Sequence, residues 1–229
     1  MTPEDRWLAS IWPAVRLYLP PAPAFIVEIG CGRLGGFVPR LRDNGYEAVG
    51  IDPVAPDGSG YRQIEFEHSD LARPLDGVIA CTSLHHVTDP GQVLDKVAGA
   101  LAPDGRVIVI EWDWEGFDEA TARWCFGRLG GSGGDSWLAR RYDDWMASGR
   151  TWEDYFPAWA HQHGLHGARR ILRDLDGRFQ RISCTRGPYF FSELFETSEA
   201  DELEAINAGR IQPARIDYVG RPADRKEKH

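Results

Sequence analysis

The stretch Phe25-Ile26-Val27-Glu28-Ile29-Gly30-Cys31-Gly32-Arg33-Leu34-Gly35-Gly36 decides how the rest of the chain is read. An apolar run of strand length, broken by one acid, passes directly into spaced glycines. Gly30, Gly32 and Gly35 fit the G-x-G-x-x-G pattern, in which residues without a Cβ let the backbone turn tightly and approach a ligand. On its own the pattern admits dinucleotides as well as other nucleotide-type ligands. Glu28 narrows the choice, because a carboxylate two residues before the first glycine repels a pyrophosphate and attracts a cation.

A second acid stands where a strand-helix-strand unit would put it. Tyr46-Glu47-Ala48-Val49-Gly50-Ile51-Asp52-Pro53 reads as a short strand ending in Asp52, 22 positions after Gly30. A ribose-binding acid is expected about 20 residues beyond such a loop. Between the two strands, Phe37, Val38 and Leu41 give a helix its apolar face, and Asn44-Gly45 stops it. A short strand is expected around Arg62 to Phe66. Asp76 to Thr82 is too continuously apolar or small to have a wet face, so it reads as a fully buried strand. Asp89 then caps a helix opened by Pro90, with Val93, Leu94, Val97 and Leu101 as its core stripe. Pro103-Asp104-Gly105 turns the chain into a fifth strand, Val107 to Glu111. This alternation predicts an α/β protein with a doubly wound, mostly parallel sheet.

Four segments together resemble the class I S-adenosylmethionine-dependent methyltransferases, in their small-molecule branch with a type 11 methyltransferase domain. They are Val27 to Gly32, Gly50 to Pro53, Ser83-Leu84-His85-His86-Val87-Thr88-Asp89-Pro90, and Leu101 to Arg106. The resemblance covers residues 25–113 and, less specifically, the tail after 160. It implies a Rossmann-like sheet of seven strands, the seventh inserted antiparallel beside the fifth. S-adenosylmethionine suits Glu28, since it carries a sulfonium and an ammonium and no phosphate. The implied cofactor contacts are Glu28, Gly30, Cys31, Gly32, Asp52, Pro53 and Ser83. The family's usual Gly-Asp after the third strand is absent. Phe66-Glu67-His68-Ser69-Asp70 stands there instead, with Glu67 taken as the adenine contact and Asp70 as the alternative.

The chemistry is expected just past the buried fourth strand, at the sheet edge where open α/β folds bind ligands. His85 and His86 lie there, and Glu111 ends the neighbouring fifth strand, within possible reach of His85. In relatives that share the Leu-His-His pattern the first histidine is a base assisted by the acid of the fifth strand, and those positions match His85 and Glu111. Trp112 and Trp114 alternate with Asp113, so their rings should share a face, either lining an acceptor pocket with His86 or packing the core.

The remainder of the chain frames this site. Residues 4–18 read as an amphipathic helix that packs on the core or roofs the site. Seven of the nine tryptophans fall between Trp112 and Trp159, around Gly130-Gly131-Ser132-Gly133-Gly134, so residues 114–159 read as an insertion or lid. Trp152, Phe156 and Trp159 have helical spacing, which Pro157 is expected to kink or interrupt. The part from 160 to 222 should complete the sheet, with strands in Gly177 to Phe191 and Arg210 to Val219 around an acidic helix from Ser198 to Ala208. Asp224 to His229 reads as a frayed end.

A net charge of -9 and a sequence pI near 5.3 argue against a nucleic-acid partner, which needs a basic face. Cys31, Cys81, Cys125 and Cys184 lie far apart without C-x-x-C spacing, so neither zinc nor a disulfide framework is indicated. No apolar run reaches membrane-spanning length and no leader is recognised, so a cytoplasmic protein without a membrane partner is expected. The expectation is a single domain that methylates a small-molecule acceptor from S-adenosylmethionine, most simply at a hydroxyl, with nitrogen and carbon acceptors open. An NAD(P)-dependent oxidoreductase and a non-catalytic cofactor-binding protein are the alternatives.

Overall fold

The computed structural model describes residues 2–71, 73–130 and 136–223. Gly131 to Gly134 of the glycine cluster and the tail from Asp224 lie outside the described residues. The strands are β1 (Phe25–Ile29), β2 (Glu47–Ile51), β3 (Tyr61–Arg62), β4 (Leu75–Cys81), β5 (Leu101–Trp112), β6 (Phe179–Gly187) and β7 (Arg215–Pro222). They form one sheet in the order β3-β2-β1-β4-β5-β7-β6. The first five are parallel, and β7 lies antiparallel between β5 and β6.

The central strands are apolar on both faces because helices cover both, and their residues divide strictly by the two-residue period of a strand. Val27, Val78, Ala80, Val107 and Val109 enter one core with α3 (Pro90–Ala100) and α7 (Ala168–Asp176). Ile26, Ile79, Cys81, Ile108 and Ile110 enter the other, with α1 (Pro3–Tyr18) and α2 (Val38–Asp43). Ile79 and Leu75 have no exposed surface, and each such side chain stabilises the fold by about 1.5 to 3 kcal/mol. A third core gathers the tryptophan-rich segment, with α4 (Glu119–Phe126), α5 (Trp137–Ser148) and α6 (Trp152–Gln162).

Local signals set most element ends. Thr2 closes a capping box with Asp5 at the start of α1, and the Asp89 carboxylate accepts from the Gly91 N–H at the start of α3. Five expectations change. α3 ends at Ala100 and β5 already begins at Leu101, paired with Leu75, so Pro103 to Gly105 lie in an irregular opening of the strand rather than ahead of it. β3 is only Tyr61–Arg62, and Phe66–His68 forms a 3-10 turn instead of extending the strand. α6 runs through Pro157, because the carbonyl that proline leaves without a partner belongs to exposed Glu153. Of Gly177 to Phe191 only Phe179–Gly187 is strand. α7 was not foreseen, although Ile171, Leu172 and Leu175 carry a helical spacing. The acidic helix α8 (Glu199–Asn207) lies where expected.

Candidate functional site

Strand order reverses between β1 and β4, with β2 and β3 on one side and β5 on the other. The crevice at that point, past the carboxyl ends of the strands, is where open α/β sheets bind ligands. A cavity of about 450 Å³ opens there, within the range of small-molecule sites. It is lined from the glycine loop by Glu28, Gly30, Cys31, Gly32 and Gly36, from β2 by Asp52 and Pro53, and beyond β4 by Thr82, Ser83 and His86.

The loop's geometry depends on glycine at two places. Gly30 has φ +76°, and a Cβ on it would collide with the side chain of Ser83. Gly36 has φ +55°, and a Cβ there would strike the Glu28 carboxylate. Gly36 lies outside the G-x-G-x-x-G pattern. Its role is visible only once Glu28 is seen folding back under the loop, accepting from the Phe37 N–H at 2.7 Å. Burial pushes Glu28 up to about 8, against the pull of the Phe37 and Val38 N–H groups, and Glu4 and Asp52 add to the rise. Burial thus favours the protonated carboxyl, and a cation beside Glu28 would favour the carboxylate.

Asp52 braces the turn: one oxygen accepts from the Gly32 N–H at 3.0 Å and the other from the Val54 N–H at 2.8 Å. Each oxygen keeps acceptor capacity toward the cavity. Burial raises the Cys31 thiol to about 12, so Cys31 lines the wall as a neutral group. At the far end Glu67 and Phe66 line the cavity from the 3-10 turn, whereas Asp70 is exposed and absent from the lining. The turn is held by Lys96 of α3, whose ammonium donates to the carbonyls of Phe66 (2.9 Å), Glu67 (2.8 Å) and Ser69.

Beyond β4, the Ser83 hydroxyl donates to the Ile29 carbonyl at 3.0 Å and ties the two strand ends together. Glu111, fully buried, accepts from the N–H groups of Ser83 (2.8 Å) and Leu84 (2.6 Å) with one oxygen. Its other oxygen meets Nδ1 of buried His85 at 2.6 Å. A carboxylate there fixes the tautomer, with hydrogen on Nδ1 and a free lone pair on Nε2. The pair expected from the sequence is thus brought together, although His85 stands behind the cavity wall and His86 on it. Burial and then His85, its ring 4.0 Å away, push His86 down to about 4.

Trp112 and Trp114 are both buried and neither lines this cavity. They share the third core, both meeting the ring of Phe156, and Trp112 also stands edge-on to His85 at 5.9 Å. Some cavity residues were not legible. Glu4, Trp7 and Leu8 come from α1, which both packs on the core and roofs the site. Thr82 lines the cavity at φ +50°, a strained conformation for a β-branched residue, and no sequence pattern signals it. Among the described residues the lining holds five carboxyl groups, on Glu4, Glu28, Asp52, Glu65 and Glu67, and no lysine or arginine. A pyrophosphate is ill-suited to such a cavity. S-adenosylmethionine fits it in size, in charge and in the glycine-lined approach.

Two relatives are similar over part of their length. Ubiquinone biosynthesis O-methyltransferase of Rhodopseudomonas palustris (strain HaA2) is 28% identical over 169 residues, covering 66% of this chain and 60% of that protein. 2-Ketoarginine methyltransferase of Streptomyces arginensis is 32% identical over 123 residues, covering 46% of this chain and 36% of that protein. The chain thus spans less than two thirds of the length of either. The solved structure of N-methyltransferase NodS from Bradyrhizobium japonicum WM9, in complex with S-adenosyl-L-homocysteine, shares the fold at a TM-score of 0.52. Its identity is 15%, covering 97% of this chain and 89% of that one. A family model described as a methyltransferase domain matches residues 5–181. That match takes in the glycine loop, both strand-end acids, the histidine pair and the aromatic segment, and by it this chain belongs to the methyltransferase-domain family.

Proposed function

We propose that this protein transfers a methyl group from S-adenosylmethionine to a hydroxyl of a small, planar, largely apolar acceptor. The observation that carries the reading is the His85–Glu111 pair, oriented at 2.6 Å beside a cavity lined with acids and glycines. When bound, S-adenosylmethionine supplies an electrophilic methyl on a sulfonium. Glu28 gives up its proton and holds the positive end, Asp52 accepts from the ribose hydroxyls, and Glu67 meets the adenine. His85 Nε2 would take the acceptor hydroxyl's proton while the methyl leaves the sulfonium sulfur, which becomes a neutral thioether, and Glu111 would stand beside the imidazolium with the opposite charge. In-line placement and exclusion of water do the rest. Residues 114–159 serve as the cover that closes over the acceptor and sets its choice, with His86 on the acceptor side and Trp112 and Trp114 packed in the core behind it.

Isothermal titration with S-adenosylmethionine and NADH side by side, followed by a screen for methylated products, tests the reading. Binding of the first alone, with a methylated hydroxyl among the products, is expected. Tight NADH binding without a response to S-adenosylmethionine would sink it. His85→Ala should lower turnover about 100- to 10,000-fold at nearly unchanged cofactor affinity. For the cover, hydrogen exchange should show residues 114–159 gaining protection when acceptor and demethylated cofactor are both bound. Maximal protection already in the free protein would make that segment fixed core.

A further inference from the structure

A charged residue stands where α1 should be apolar. The inward stripe of that helix runs through Trp7, Ile11 and Val15, all buried in the core shared with α2, and Leu8 packs against them. Glu4 continues the stripe one turn earlier, at the spacing of three and four residues that puts it on one face with Trp7 and Leu8. These three residues line the cavity. The stripe thus passes from core packing to cavity lining at its amino-terminal end, and the residue that ends it is an acid.

The start of α1 does not need that acid. Thr2 and Asp5 close the capping box between them, and Asp5 already supplies the negative charge that a helix amino terminus favours. The helix end is also held in place over the cavity. Arg6 donates to the carbonyls of Phe191 (3.1 Å) and Thr197 (2.7 Å), and Arg40 of α2 donates to the Leu8 carbonyl at 3.5 Å. Glu4 keeps exposed surface while lining the cavity, so a ligand there can reach its carboxylate. Glu28 feels that charge: burial does most to hold the Glu28 proton on, and of the neighbouring charges Glu4 does more than Asp52. Among the described residues no lysine or arginine of the lining stands between them. Two carboxylates that repel each other in one cavity favour a cation that both can approach.

We infer that Glu4 is the second carboxylate of an ammonium clamp, which with Glu28 takes the amino group at the methionine end of S-adenosylmethionine and makes α1 a part of the cofactor site as well as its roof. The inference rests on the role given to Glu28 above, and adds to it a residue from the far amino-terminal helix. An ammonium has three donors to place, and the clamp gives it acceptors on two sides.

The test is calorimetric titration of the full chain with three compounds that share the adenosyl thioether. S-adenosylhomocysteine carries both ammonium and carboxylate, S-adenosylthiopropylamine keeps the ammonium alone, and methylthioadenosine has neither. Glu4→Gln should weaken the first two by roughly three- to tenfold, between an exposed ion pair and a charged hydrogen bond. Methylthioadenosine affinity should stay unchanged, which also checks that the variant is folded. Asp104→Asn makes the same change of net charge on an exposed residue near the start of β5, at the opposite edge of the sheet from the cavity, and should leave all three affinities alone. Unchanged S-adenosylhomocysteine binding in Glu4→Gln, a loss shared by methylthioadenosine, a loss that spares S-adenosylthiopropylamine, or an equal loss in Asp104→Asn would each overturn the inference and leave the methyl-transfer reading standing. Failure of S-adenosylhomocysteine to bind the wild-type protein would remove that reading and the inference with it.

Discussion

Residues 25–113 keep their shape through carboxylates, and residues 114–165 keep theirs through rings. In the first region Glu28, Asp52, Asp76 and Glu111 each accept backbone N–H groups, so each acid fixes a turn or strand end at hydrogen-bond distance. In the second, Trp152 touches Phe117, Phe126, Trp145, Tyr155 and Phe156 at centroid distances of 4.7 to 5.7 Å. Among the described residues the one side-chain hydrogen bond of Trp152 runs from Nε1 to the Phe117 carbonyl at 2.6 Å. Hydrogen bonds to an ion are directional and intolerant of substitution. Ring contacts are many, individually weak and adaptable. One region is suited to placing atoms of a ligand, the other to shaping a dry wall.

The largest effect that would break this contrast belongs to Glu111. Glu111→Ala leaves the Ser83 and Leu84 N–H groups unpaired and His85 unoriented. Turnover should fall about 100- to 10,000-fold, and denaturant unfolding should show a loss of about 3 kcal/mol. A variant that keeps full turnover would show that His85 needs no partner. Next comes Trp152→Ala, which should cost about 3 to 5 kcal/mol in the same assay. Its affinity for S-adenosylhomocysteine should stay within about twofold. A large loss of cofactor affinity would mean that the two regions are not separable.

Asp52→Ala should weaken S-adenosylhomocysteine by about 1 to 3 kcal/mol in calorimetry, and unchanged affinity would remove Asp52 from the site. A further effect concerns Glu28 in the absence of ligand. Its folded value of about 8 lies above its ordinary 4.5, so between those pH values the folded state binds more protons than the unfolded. Stability should fall across that window by up to about 1.4 kcal/mol per pH unit and level off above it. Glu28→Gln should flatten that slope in thermal scans, and an unchanged slope would assign it to other groups.

The same contrast explains what the sequence disclosed. Spacing placed Glu28, Gly30, Asp52 and Glu111 at or beside strand ends and His85 a few residues past β4, because the two-residue period and the turn residues dictate where those strands stop. The parallel order of β1 to β5 followed from strand-helix alternation. Thr82 was hidden because its positive φ arises just past the end of β4, where its N–H donates to the Ile110 carbonyl of neighbouring β5 at 2.7 Å. Glu4 and Trp7 reach the cavity from α1, far away in sequence from the glycine loop and β4, and aromatic composition does not say which rings meet. Trp112 and Trp114 could be assigned to a shared face, but whether that face was cavity or core depended on α6, which supplies Phe156. The fate of Pro157 turned on the exposure of a single carbonyl.

Lys96 gives the Phe66 and Glu67 end of the cavity, proposed above to meet adenine, a property of a different kind. The sequence contains only two other lysines, Lys226 and Lys228, at its far end. The Lys96 amine is engaged by three carbonyls of the turn that presents Phe66 and Glu67. An acylating reagent needs that amine neutral and free, so it can react only when the turn lets go. The labelling rate at Lys96, read by peptide mass, is therefore a clock for local opening at that end. A bound adenine should slow the clock, whereas a ligand confined to the histidine end should leave it running.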